Sequence, residues 1–338
     1  MAFSWLLLLL ITATLHATNG VGEAKIGIGV CYGLNGDNLP SPNDVVGLYS
    51  KYGIGKMRIF NPNPTVLNAL RGSGIELTLG VADEDIPRLA SSVDAADSWF
   101  AHNVQPYLND ITVPYIAVGN EVVPGEFSAS LVAAMQNVQT VLRNRNLMGM
   151  RATTVVHGAV LSNSYPPSAT VFSDRARDTM SRILQFLSAH GAPLLINVYP
   201  YFAYASSPLH QRLDYALFTA TGTVVQDRNL SYSNLFDAMA DSYIWAMEKV
   251  GVSNVDIVVS ESGWPHAGNG NLTTPELAFT YNKNFMLHVL HGGTPKRPGS
   301  YVEGFIFAMF DEDQKAAGAE QNWGLFKPNM RPNYNIFA

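Results

Sequence analysis

The sequence predicts an α/β protein built as a single (β/α)8 TIM barrel, and three observations carry that expectation. Eight short runs rich in apolar and β-branched residues recur along the chain, with longer amphipathic stretches between them. Most of these runs are apolar on successive residues rather than alternate ones, as strands covered on both faces are. No linker, low-complexity tract or internal repeat divides the 338 residues into two domains.

Taken in order, the expected strands fall at residues 26–33, 56–60, 76–81, 115–122, 151–160, 193–201, 256–264 and 304–313. Between them, a helix starts at Pro42 with a turn-plus-cap sequence and an apolar stripe. Longer helices are expected at 91–108, 127–142, 172–187 and 276–290, the last ending at Gly292-Gly293. The gap between the sixth and seventh strands, residues 202–255, reads as several short elements forming a small excursion on the barrel.

Composition excludes several functions. Apolar residues make up 47% of the chain, far above the level of a disordered protein. A formal charge of −6 leaves no electrostatic footprint for nucleic acid. With 14% charged and 11% aromatic residues, the surface suits a neutral polar ligand. Residues 5–15 form an apolar run too short to span a bilayer, followed by small residues with Gly22 and Ala24 placed for cleavage. Residues 1–24 therefore read as a secretory signal peptide, although their start carries no Lys or Arg. The mature domain is then 25–338, with no membrane anchor and no lipid-anchor tail.

The single cysteine, Cys31, lies in an apolar run and reads as a buried, inert thiol. Asn229 and Asn271 stand in glycosylation sequons, whereas the sequon at Asn63 is excluded by Pro64. No metal or cofactor is expected: His288 and His291 have no third ligand, and the glycine spacings open no phosphate-cradling helix.

In a barrel of this kind the site lies at the C-terminal strand ends. Glu121 closes the fourth expected strand and Glu261 the seventh. Each follows a buried apolar run, where a carboxylate is costly unless paired, hydrogen-bonded or protonated. Two carboxyls across one mouth are the machinery of glycoside hydrolysis. Asn120 stands beside Glu121, within reach of a substrate hydroxyl, and the Tyr199 phenol ends the sixth strand where it can hold the Glu261 carboxylate.

At these residues the chain resembles the plant endo-β-1,3-glucanases of glycoside hydrolase family 17. The stretches Ile28-Gly-Val-Cys-Tyr-Gly, Met57-Arg-Ile-Phe-Asn-Pro-Asn-Pro, Val118-Gly-Asn-Glu-Val, Asn197-Val-Tyr-Pro-Tyr-Phe and Ser260-Glu-Ser-Gly-Trp-Pro carry the resemblance. Phe307-Ala-Met-Phe-Asp-Glu-Asp-Gln-Lys and Trp323-Gly-Leu-Phe complete it. It implies a retaining mechanism with Glu121 as acid/base and Glu261 as nucleophile. It also implies Glu312, Lys315 and Glu320 as a charged cluster on the cleft, and Phe60, Phe202 and Phe310 as aromatic subsite walls. The chain departs from the family at Phe60, where Tyr is frequent, and after Glu320, where a basic residue is frequent.

The expected activity is cleavage of internal β-1,3-glucosidic bonds by a secreted monomer, in the wall space or, second, the vacuole. Two alternatives stand beside it: a mixed-linkage β-1,3-1,4-glucanase, and a wall-glucan binding protein without catalysis.

Overall fold

The computed structural model describes residues 26–337, so the expected signal peptide lies outside the described residues. All eight apolar runs become barrel strands: β1 (Ile26–Cys31), β2 (Ile54–Ile59), β3 (Glu76–Val81), β4 (Tyr115–Asn120), β5 (Arg151–Val156), β6 (Leu194–Asn197), β7 (Ile257–Ser262) and β8 (Glu303–Ile306). Every strand pairs in parallel with its sequence neighbours, and β8 closes the barrel onto β1. The closure places Gly29 opposite Phe305, and a Cβ at Gly29 would lie 2.2 Å from the Phe305 ring. Glycine is therefore what admits that ring to the barrel.

Local chemistry sets the helix starts. Ser41 caps α1 (Pro42–Lys51) and Asn63 caps α2 (Pro64–Leu70), each through its side-chain oxygen with proline in the first turn. Next come α3 (Ile86–Ser91), α4 (Val93–Asn103), α5 (Ser128–Asn144) and α6 (Arg177–His190). On α5, Leu131, Met135, Val138 and Leu142 form one buried stripe at helical spacing.

Several boundaries differ from the sequence expectation; the eighth strand, expected to run to 313, ends at Ile306, and the fourth ends at Asn120. The fifth strand ends at Val156, and Leu161–Ser162 instead pairs antiparallel with Val171–Phe172 as a small hairpin over the mouth. The sixth ends at Asn197, after which Pro200 starts α7 (Pro200–Ser206). Beyond α8 (Leu213–Ala216) and the hairpin Val225–Asp227/Leu230–Tyr232, the excursion contains a full barrel helix, α9 (Leu235–Lys249). That helix is buried on nearly every side, Asp237, Asp241 and Ser242 included, so it lacks the apolar stripe that marks a surface helix. The last helix is α10 (Pro275–His291). Among the described residues no helix is long and apolar enough to cross a membrane.

Candidate active site

The strand ends are irregular where the two glutamates emerge. The β4–β5 register shifts between Ala117 and Asn120, and the β7–β6 register between Val259 and Glu261. Such shifts re-aim side chains at a barrel rim. Glu121 follows the last residue of β4 with φ 61°, a left-handed conformation, while its N–H still bonds to the Val155 carbonyl at 3.0 Å. A bulky residue held there stores strain of about 1–3 kcal/mol. Glu261 remains within β7 and is buried.

Every polar group given to Glu261 is a donor. Arg58 Nη1 donates to Oε1 at 2.6 Å, Asn197 Nδ2 to the same oxygen at 2.9 Å, and the Tyr199 hydroxyl to Oε2 at 2.6 Å. This surrounding suits an ionised carboxylate. Burial first, and then the Glu261 charge, holds the Tyr199 phenol well above its ordinary range, so it stays a donor. Glu121 has the opposite setting. Burial first and the Glu261 charge second hold its carboxyl above the ordinary glutamate range, against the pull of Asn197, His157 and Arg58. A carboxyl raised above its ordinary range beside one ringed by donors suits an acid and a nucleophile.

Asn197 joins the two. Its Oδ1 accepts from the Ser260 hydroxyl at 2.8 Å, which turns its Nδ2 toward the carboxyls. That nitrogen donates to Glu121 Oε1 at 2.7 Å and to Glu261 Oε1 at 2.9 Å. Arg58 is the second tie, since its Nη2 donates to Asn120 Oδ1 at 2.8 Å while Nη1 also reaches the Ser260 carbonyl at 3.0 Å.

These groups open into a cleft of about 1130 Å³. Asn120, Tyr199, Phe60, Phe202, Glu312, Lys315 and Glu320 all line it. Phe202 is 47% exposed, as a wall open to ligand would be. Glu312 and Lys315 form an ion pair at 2.9 Å, with the ammonium 4.1 Å from the centroid of the Phe307 ring. Glu312 packs against Gly33, where a Cβ would lie 2.2 Å from Oε1.

Phe310 is a correction. It is 2% exposed and packs edge-on to Tyr32 and against Phe326, behind the cleft rather than on it, so it is no subsite wall. Cys31 is buried and its thiol, raised by burial, donates to the Ser260 carbonyl. Asn229 and Asn271 are both exposed.

Sequence reasoning missed Arg58, Asn197, His157 and Trp323 as members of the site. Arg58 had a signal: a lone cation inside an otherwise apolar buried strand must meet an anion. Asn197 had a weaker one, as a polar residue closing a four-residue apolar strand.

Fold and site together define the class: a (β/α)8 barrel of the glycosidase kind, with two glutamates facing each other across its mouth. Residues 28–337 match the family described as Glycosyl hydrolases family 17, and the chain belongs to that family. It is 51% identical over 322 residues to a probable glucan endo-1,3-beta-glucosidase of Arabidopsis thaliana, covering 94% of this chain and 93% of the relative. Lichenase-2 of Hordeum vulgare is 45% identical, covering 91% and 97%. Among solved structures, a beta-1,3-glucanase and allergen of Cryptomeria japonica pollen superposes with TM-score 0.88 at 47% identity, covering 92% of this chain and 98% of that one.

Proposed function

We propose that this chain is a retaining endo-β-1,3-glucanase, acting on internal bonds of callose, laminarin or fungal wall glucan. The observation that carries the retaining mechanism is the shared Asn197 nitrogen. Its two bonds, 2.7 and 2.9 Å, laid end to end, limit the separation of the Glu121 and Glu261 Oε1 atoms. That upper limit falls short of the ~6.5 Å at which inverting pairs begin and admits the ~5–5.5 Å of retaining pairs.

In the first step, protonated Glu121 gives its proton to the glycosidic oxygen while Glu261 attacks the anomeric carbon. The C–O bond to the leaving sugar breaks and a glycosyl ester on Glu261 forms. That ester removes the negative charge that helped keep Glu121 protonated, so Glu121 ionises readily. In the second step it takes a proton from water, the water oxygen attacks the same carbon, and Glu261 is released.

Replacing each glutamate and supplying azide tests the roles. With Glu261→Gly, azide enters the vacated space and displaces an activated aryl leaving group once, giving an α-glycosyl azide. With Glu121→Ala, Glu261 still forms the ester from the activated substrate, and azide, needing no base, gives a β-glycosyl azide. Proton NMR reads the configurations. Swapped configurations would reverse the roles, and full activity in both variants would remove both residues from the chemistry.

A second reading, mixed-linkage glucan as substrate, is favoured by the 45% identity to a lichenase. Reducing ends released from laminarin and from mixed-linkage glucan separate the two, and activity confined to the latter would overturn the first. Secretion belongs to the same proposal, supported by the composition of residues 1–24, as does glycosylation at the exposed Asn229 and Asn271. Cytosolic retention of the tagged full chain would refute secretion.

A further inference from the structure

His157 follows the last residue of β5 and lines the cleft with Glu121. Its Nδ1 lies 3.7 Å from Glu121 Oε2, beyond a hydrogen bond. That nitrogen is shielded from solvent and has no hydrogen-bond partner, an unusual state for a buried polar atom. The two Glu121 oxygens differ accordingly. Oε1 accepts from Asn197 Nδ2, whereas Oε2 faces the imidazole at 3.7 Å, which leaves Oε2 as the oxygen free to carry the acid proton.

We propose that His157 is a positioning residue for Glu121, its Nδ1–H closing on Oε2 when Glu121 gives up its proton and parting from it when the proton returns. The inference rests on the reading of Glu121 as acid/base. A protonated Oε2 points its hydrogen at the glycosidic oxygen and offers the ring N–H nothing comparable. An ionised Oε2 is a strong acceptor, and closing a gap of 3.7 Å needs only a small ring movement. The hydrogen bond then forms in the interval when Glu121 must act as base.

The other groups acting on Glu121 are fixed. Glu261 opposes its ionisation, Arg58 and Asn197 favour it, and the Tyr199 and Tyr243 phenols are kept neutral by burial. On the His157 segment, Gly158, Leu161, Ser164 and Tyr165 also line the cleft, and none of them is an acid or a base of the carboxyl, imidazole or ammonium kind. His157 is thus the one partner of Glu121 described here whose bond is not already made.

The test is the pH profile of kcat/KM on a β-1,3-oligosaccharide for the wild-type chain, His157→Ala and His157→Asn. Loss of a donor to the ionised form moves the basic limb of His157→Ala upward by about half a pH unit or more. Asn places a side-chain nitrogen where Nδ1 falls and brings the limb back toward wild type. A merely structural role would not move this limb. An unmoved limb with a raised KM would make His157 a contact for the leaving sugar and overturn the proposal. An unchanged profile and KM would overturn it too. A wild-type chain inactive on the oligosaccharide would refute the glucanase reading itself, and this proposal with it.

Discussion

Replacing Arg58 by methionine keeps most of the side-chain stem and removes the cation. Arg58 is 1% exposed and Glu261 6%, so the pair is shielded from bulk water. Its loss leaves Glu261 with two neutral donors, Tyr199 and Asn197, and strips a donor from the Ser260 carbonyl and from Asn120 Oδ1. Breaking a buried pair from one side costs about 3–5 kcal/mol. The Ser260 carbonyl keeps the Cys31 thiol and Asn120 Oδ1 keeps the Asn197 amide at 3.4 Å, so neither acceptor is left bare. The loss of the buried charge pair therefore dominates, and the expected loss for Arg58→Met is about 3–5 kcal/mol. Glu261→Gln alone strands the guanidinium in the same way. The double variant strands neither charge, so its loss should fall short of the summed single losses by about 2–3 kcal/mol. Urea denaturation of the wild-type chain, both single variants and the double variant measures this cycle. Additive losses would show that the pair is not an electrostatic unit, and the account of Glu261 as a carboxylate held by Arg58 would fail.

Two further outcomes are expected. Glu121 is held above its ordinary range in the folded chain, so its contribution to stability is present below the unfolded value and is lost as pH rises through the folded value. Glu121→Gln should therefore abolish activity yet raise the denaturation midpoint at pH 7, with the gain vanishing below about pH 4. A gain that persisted or grew in acid would contradict the sign. Phe202→Ala removes a 47% exposed ring from the cleft wall. KM for laminarin should rise about threefold to tenfold, as one lost aromatic stack does, with kcat little changed. An unaltered KM would take Phe202 out of the substrate path.

The barrel was legible because strands buried on both faces write themselves as continuous apolar runs, and most of the eight did. Helix α9 was not, because burial all round removes the contrast that periodicity detects. The glutamates were visible as charges at the ends of such runs. Phe310 shows the limit of position alone: it lies between the cleft residues Phe307 and Glu312 in sequence, yet its ring turns inward against Tyr32. Asn197 was hidden for another reason. Its importance comes from distances to residues 76 and 64 positions away, and only barrel closure brings those together.

That closure also explains why strain is tolerated at Glu121. Left-handed backbone at a non-glycine residue is unfavourable by itself. Here the Val155 carbonyl fixes the Glu121 N–H, Asn197 fixes Oε1, and Asp83 fixes the preceding Asn120 N–H at 2.9 Å. Asn197 is in turn fixed by Ser260, the residue before Glu261. The strained acid and the buried nucleophile are therefore held by one connected set of hydrogen bonds. Relaxing the backbone with glycine at position 121 would relieve the strain and remove the carboxyl together. At this position stability and the proposed chemistry make opposite demands, and the network of strands β4 to β7 is what reconciles them.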